Sequence, residues 1–127
     1  MISLREILHL HENSIRDYGG SSGLRDVNLL ESAVARPFQS FGSIEFYSST
    51  FEKAAALLES IVKNHPFVDG NKRTGFLAAF TFLYRHNLEI NASNENAYNF
   101  VIDVASSQIS FDEIATWLLQ NSQQILP

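Results

Sequence analysis

Between Phe51 and His86 the chain carries two helical stretches that are apolar on more than one side, joined by only a few residues. In the first, from Phe51 to about Lys63, the side chains of Ala54, Ala55, Leu57, Leu58, Ile61 and Val62 wrap past a single face. In the second, from about Lys72 to His86, Phe76, Leu77, Ala78, Ala79, Phe80, Phe82, Leu83 and Tyr84 surround the axis. A helix with no polar side must be covered from several directions, so both belong in the middle of a bundle. The non-helical connection, His65 to Gly70, is short, which makes the two an antiparallel pair.

The remaining chain reads as cover for that pair. Ser3 with Glu6 and Ser110 with Glu113 each form the reciprocal cap in which Ser accepts from the third amide and Glu reaches back. Ile2 with Ile7 and Ile109 with Ile114 add the hydrophobic staple to both. The first helix is expected to run to about Tyr18, where Gly19, Gly20, Ser21, Ser22 and Gly23 make a loop. Asp26 caps a second, with Val27, Leu30 and Val34 on one side and an end near Arg36, because Pro37 disfavours α geometry in its predecessor. Thr50 is the expected cap of the third helix. Residues 38–49 mix Phe38, Phe41, Phe46 and Tyr47 with Gly42 and serines and read as a loop or short β-hairpin; Leu88 to Ile90 reads as extended. A fifth helix, capped by Ser93 or Asn94, covers Ala97 to about Ala105, and a sixth runs from Phe111 to about Asn121. Strands and helices do not alternate. The expected fold is all-α, about six helices with a minor β feature, in one domain over 1–127.

Composition removes several functions. With 9 Lys and Arg against 14 Asp and Glu, the net charge is -5, so the dense positive surface that binds DNA, RNA or anionic membrane is lacking. There is no cysteine, hence no disulfide, thiolate metal site or Cys nucleophile. Met1 to Leu10 carries Arg5, Glu6 and His9 and is neither signal peptide nor membrane span, so a cytoplasmic protein is expected.

Chemistry concentrates in the connection between the two central helices, His65-Pro66-Phe67-Val68-Asp69-Gly70-Asn71-Lys72-Arg73-Thr74-Gly75. The start of the fourth helix has unpaired amides and a positive dipole end, an anion site for which phosphate is the natural guest. Singly, these residues have ordinary structural uses: Asp69-Gly70 as a turn, Asn71 as an N-cap, His65 as a loop residue. Lys72-Arg73 fits that account less well, since cations in a first turn oppose the dipole by ~0.3 to 1 kcal/mol each. A bound anion removes the penalty. The spacing of Gly70, Lys72 and Thr74 is not that of a Walker loop.

The segment resembles the Fic/Doc signature, His-x-Phe-x-Asp/Glu-Gly-Asn-Gly/Lys-Arg, at His65, Phe67, Asp69, Gly70, Asn71, Lys72 and Arg73. The likeness extends through Leu10-His11, Tyr18-Gly19-Gly20, Gly23-Leu24-Arg25-Asp26 and Ala33 to Arg36-Pro37. It implies a small helical bundle that transfers part of a nucleotide to a protein hydroxyl. Lys72 stands where Fic forms have a second Gly, and Phe76 where they have a second Arg. Both departures match the Doc, or death-on-curing, branch, which implies transfer of the γ-phosphate of ATP, with Mg²⁺, to a target such as elongation factor Tu. No Ser/Thr-x-x-x-Glu-Gly/Asn inhibitory motif occurs, because Ser48 to Glu52 is followed by Lys53. A separate antitoxin is the partner that the resemblance implies.

Each motif residue then has an expected role. His65 takes the proton of the attacking Ser or Thr hydroxyl. Asp69 offers the hard oxygen Mg²⁺ prefers. Lys72 supplies a point charge and Arg73 grips two oxygens at once. Gly70 and the first amides of the fourth helix, with Thr74, cradle phosphate, while Asn71 fixes the loop or donates to phosphate. Phe67 anchors the loop in the core. Residues 38–47 are either a packed loop or the flap along which a target segment adds as a strand. His9 and His11, two apart, point to different faces and share no metal. His86 suits a helix C-terminus, and Trp117 suits the core. AMP transfer on the same site and a catalytically silent binding module are the alternatives.

Overall fold

The computed structural model describes residues 1–125. Its helices are α1 (Leu4–Tyr18), α2 (Val27–Ala35), α3 (Thr50–Asn64), α4 (Asn71–Tyr84), α5 (Asn94–Ala105) and α6 (Phe111–Gln120), with a 3₁₀ turn over Arg36–Phe38. Strand β1 (Ser40–Phe41) pairs antiparallel with β2 (Ile44–Glu45), and β3 (Leu88–Ile90) with β4 (Ser122–Gln124).

The central pair is α3 and α4, as the all-round apolar pattern requires. Leu57, Leu58, Ile61 and Val62 of α3 and Ala78, Ala79, Phe82 and Leu83 of α4 are buried. The two helices approach closely at Gly75, where a Cβ would lie 2.6 Å from Val62 Cγ2 and 3.3 Å from the Leu58 carbonyl oxygen. Helix α1 packs on α4, α2 and α6 pack on α3, and α5 spans both. Ile7, Leu30, Val104, Ile114 and Leu118 close the core from these outer helices. The cover is incomplete around α4: Phe76 is half-buried and Tyr84 exposed. Val27 is exposed too, so Leu30 and Ala33 carry the inner face of α2.

Caps formed as the side chains dictate at Ser3 with Glu6 and at Ser110 with Glu113, and Asp26 Oδ1 accepts from the Asn28 and Leu29 amides. The cap of α3 is corrected to Ser49. Its backbone is extended at ψ 157°, and Ser49 with Glu52 makes a third reciprocal cap that leaves Thr50 as the first helical residue. Ser93 caps α5. Asn71 is not a cap: Gly70 holds that place at φ 77° without a side-chain bond, and Asn71 is already helical.

The segment before α3 is a hairpin with Phe41, Ile44 and Phe46 exposed. Its base is held by Arg36, which donates to Tyr47 Oη (2.9 Å) and Ser60 Oγ (3.1 Å), pairs with Glu59 (2.9 Å), and stands over the Tyr47 and Phe111 rings. No helix among the described residues is long and apolar enough to cross a membrane.

Candidate active site

The motif occupies the junction between the buried pair. Helix α3 ends at His65, whose left-handed backbone (φ 52°, ψ 60°) turns the chain and leaves its imidazole exposed. Arg25 satisfies the last carbonyls of α3, donating from Nε to His65 (2.6 Å) and from Nη2 to Asn64 (2.7 Å). The Pro66 carbonyl accepts from the Arg25 and Asp26 amides, and the Val68 amide donates to Gly23, so residues 23–26 run antiparallel along 66–68. Phe67 is buried, as expected of an anchor.

Asn71 is 7% exposed and grips the backbone of Phe67 at both ends: Oδ1 accepts from its amide and Nδ2 donates to its carbonyl, each at 2.9 Å. Of its two expected uses, this is the loop-fixing one. Its Nδ2 also lies 3.5 Å from His65 Nδ1, at the outer limit of a hydrogen bond, so the catalytic candidate is only loosely tethered on that edge.

Asp69 is exposed, yet both carboxylate oxygens and its carbonyl are held. Oδ2 accepts from the Ser21 amide (3.0 Å), Oδ1 from the Gly70 amide (2.8 Å), and its carbonyl from His11 Nε2 (2.8 Å). The Ser21 amide above all, then the Gly70 amide, and then the charge of Arg73 hold this carboxyl below its ordinary value. It is therefore an anion wherever the protein is folded near neutrality.

Three expected phosphate groups are arranged differently from the sequence reading. The Gly70 amide points to Asp69, so the amides free to meet an anion are those of Asn71, Lys72 and Arg73, which have no acceptor among the described residues. Arg73 turns toward α1: Nε donates to Ser14 Oγ, Nη2 to the Gly19 carbonyl (2.9 Å), and the guanidinium stands 5.5 Å from the centre of the Tyr18 ring. A two-oxygen grip would compete with these bonds. Thr74 is fully buried, its hydroxyl has no partner among the described residues, and its amide closes the first turn of α4 onto Gly70, so it faces the core and not the cradle. Lys72 is exposed and forms no ion pair among the described residues.

An exposed imidazole, a fixed carboxylate, a free ammonium and three unpaired amides thus meet at the positive end of α4. This is an open surface. Two clefts lie elsewhere, about 520 Å³ between α5 and α6 beside Trp117 and about 410 Å³ between Met1 and Phe38, and neither gathers this chemistry. The residues that sequence reasoning passed over are His11, Ser14, Ser21 and Arg25. One signal pointed to the first two: at i+4 and i+7 from Ile7 they put polar groups on the buried face of α1.

A family model described as the Fic/DOC family matches residues 1–83. Over 103 residues the chain is 40% identical to Toxin Doc of Mycolicibacterium smegmatis, covering 80% of this chain and 79% of that protein. Over 117 residues it is 32% identical to Protein kinase doc of Escherichia phage P1, covering 92% and 91%.

Proposed function

The chain belongs to the Fic/DOC family, and from that premise we propose that it is a toxin-type protein kinase of the Doc kind, moving the γ-phosphate of ATP to a Ser or Thr hydroxyl of a target protein. The observation that carries the reading is the junction itself, where His65 and Asp69 are exposed beside the unpaired amides and Lys72 at the start of α4. Lys72 and Phe76, in place of the Fic Gly and Arg, favour phosphate over AMP transfer, and the phage relative's name supports the same choice.

Phosphoryl transfer asks for positioning and for charge stabilisation. The acceptor oxygen forms a bond to the γ-phosphorus while the bond from that phosphorus to the bridging oxygen breaks. ADP leaves, and the hydroxyl proton passes to His65. Lys72 and the first amides of α4 offset negative charge on the equatorial oxygens. Asp69 fits Mg²⁺: it is an ionised carboxylate with oxygen lone pairs to spare beyond one amide apiece, and Mg²⁺ is ordinarily held by one or two carboxylates plus substrate phosphates. Asp69 would hold the ion, which would supply positive charge against the phosphate oxygens.

A translation factor such as elongation factor Tu is the proposed target, and a cognate antitoxin the proposed controlling partner, in line with the relative named Toxin Doc. The test is incubation with a translation extract and ATP labelled at either the α- or the γ-phosphate. Label entering protein from γ alone is expected. Label from α would replace the reading with AMP transfer, and none from either would leave a binding module.

A further inference from the structure

We propose that His11 is a positioning residue of this site, locking the Asp69–Gly70 peptide in one orientation without touching substrate. It lies 58 residues before Asp69 and outside the motif. At 4% exposure it is a buried imidazole that the transfer chemistry does not use. Its ring lies on Phe67, centroids 3.8 Å apart and planes 7° from parallel, and its Nε2 meets the Asp69 carbonyl at 2.8 Å. A carbonyl only accepts, so Nε2 carries a hydrogen. Face and edge of the ring are both fixed.

The need for such a lock follows from Gly70. At φ +77° it occupies a region that glycine, lacking a Cβ, enters freely, so within the loop only the exposed bond from the Gly70 amide to Asp69 Oδ1 opposes turning of the preceding peptide. A turned peptide would take the Gly70 amide off Asp69 Oδ1 and set the Asp69 carbonyl oxygen in its place, facing the carboxylate. The restraint has to come from another element, and α1 supplies it. Gly20 completes the bracket: a Cβ there would lie 2.8 Å from Asp69 Oδ2, so only glycine lets the Ser21 amide reach that oxygen.

The activity arm of this inference rests on the proposed role of Asp69; its structural arm does not. The test compares His11→Phe, which keeps a stacking ring but loses the donor, with His11→Gln, which keeps an N–H near the same reach. Partners that orient a metal-binding group typically matter by ~10- to 100-fold, so His11→Phe should lose that much γ-phosphate transfer in kcat, with the KM for ATP little changed, and His11→Gln should recover most of it. In nuclear magnetic resonance spectra the Gly70 and Ser21 amides should leave their positions in His11→Phe and keep them in His11→Gln. Amides that stay put, or that move without loss of rate, overturn the proposal. If the chain transfers no phosphate at all, the kinase reading fails and the amides alone decide this one. If His11→Phe does not fold, the imidazole of the unaltered chain decides: a neutral ring protonated at Nε2 supports the lock, and one protonated at Nδ1 refutes it.

Discussion

Gly75→Ala tests the packing that sets the motif in place. The new Cβ would sit 2.6 Å from Val62 Cγ2, about 0.9 to 1.4 Å inside the ~3.5 to 4.0 Å separation at which carbon atoms attract. Val62 is buried and β-branched, so in a helix it has one strongly preferred rotamer and no free direction to retreat. The second obstacle, the Leu58 carbonyl oxygen at 3.3 Å, is backbone. The helices must separate, and overpacking of this kind costs ~1 to 3 kcal/mol. Against it stands ~1 kcal/mol gained by replacing Gly with Ala inside a helix. A contact this short on a side chain that cannot retreat belongs in the upper half of that range, about 2 to 3 kcal/mol, so the net is a loss of about 1 to 2 kcal/mol. With ~2.1 cal/mol/K of unfolding entropy per residue over 127 residues, that lowers Tm by roughly 4 to 8 °C. Calorimetry measures it directly. The double variant with Val62→Ala should be less damaged than the two single losses summed, by about 1 kcal/mol, because the second change opens the space the first needs. A Gly75→Ala protein as stable as the original, or more so, would refute the close-approach argument.

His65→Gly should separate function from stability: Gly adopts the left-handed backbone of that position without strain, so Tm should rise by a few degrees, on the order of 1 kcal/mol, while transfer falls ~10² to 10⁴-fold for want of a base. A fall in Tm would contradict the first half and unchanged turnover the second. Asp69 has a folded-state pKa below its ordinary 3.8, so its contacts stabilise the protein above that value and are lost as pH falls through the lower folded one. The Tm advantage of the original over Asp69→Asn should accordingly be present at pH 6 and shrink on acidification below about pH 4. An advantage that grows in acid would reverse the assignment. Arg36→Lys should destabilise by about 2 kcal/mol despite keeping the charge, since an ammonium cannot bond Tyr47, Ser60 and Glu59 together while lying between two rings; urea unfolding with an unchanged midpoint would rule this out.

What the sequence determined by itself lies within a turn or two of chain. A Ser three residues before a Glu brings its partner with it, so the caps at Ser3 and Ser110 were legible, and the one at Ser49 was equally available. The apolar circumference of residues 54–62 and 76–84 demanded a buried pair, and the residues at their junction announced the chemistry. Tertiary structure decided the partners of those residues. Strand β4 is Ser122–Gln124, with no strand signal of its own, and pairs only because α6 returns the chain beside Leu88–Ile90. Arg73 bonds α1 and not an open cradle, Thr74 faces inward, and His11, read only as pointing to a different face from His9, is buried against Phe67. Spacing along a helix tells which residues share a face, but the hydrogen-bond partner of a buried polar group 58 residues away depends on how two helices dock, and that is set by the packing of the whole core.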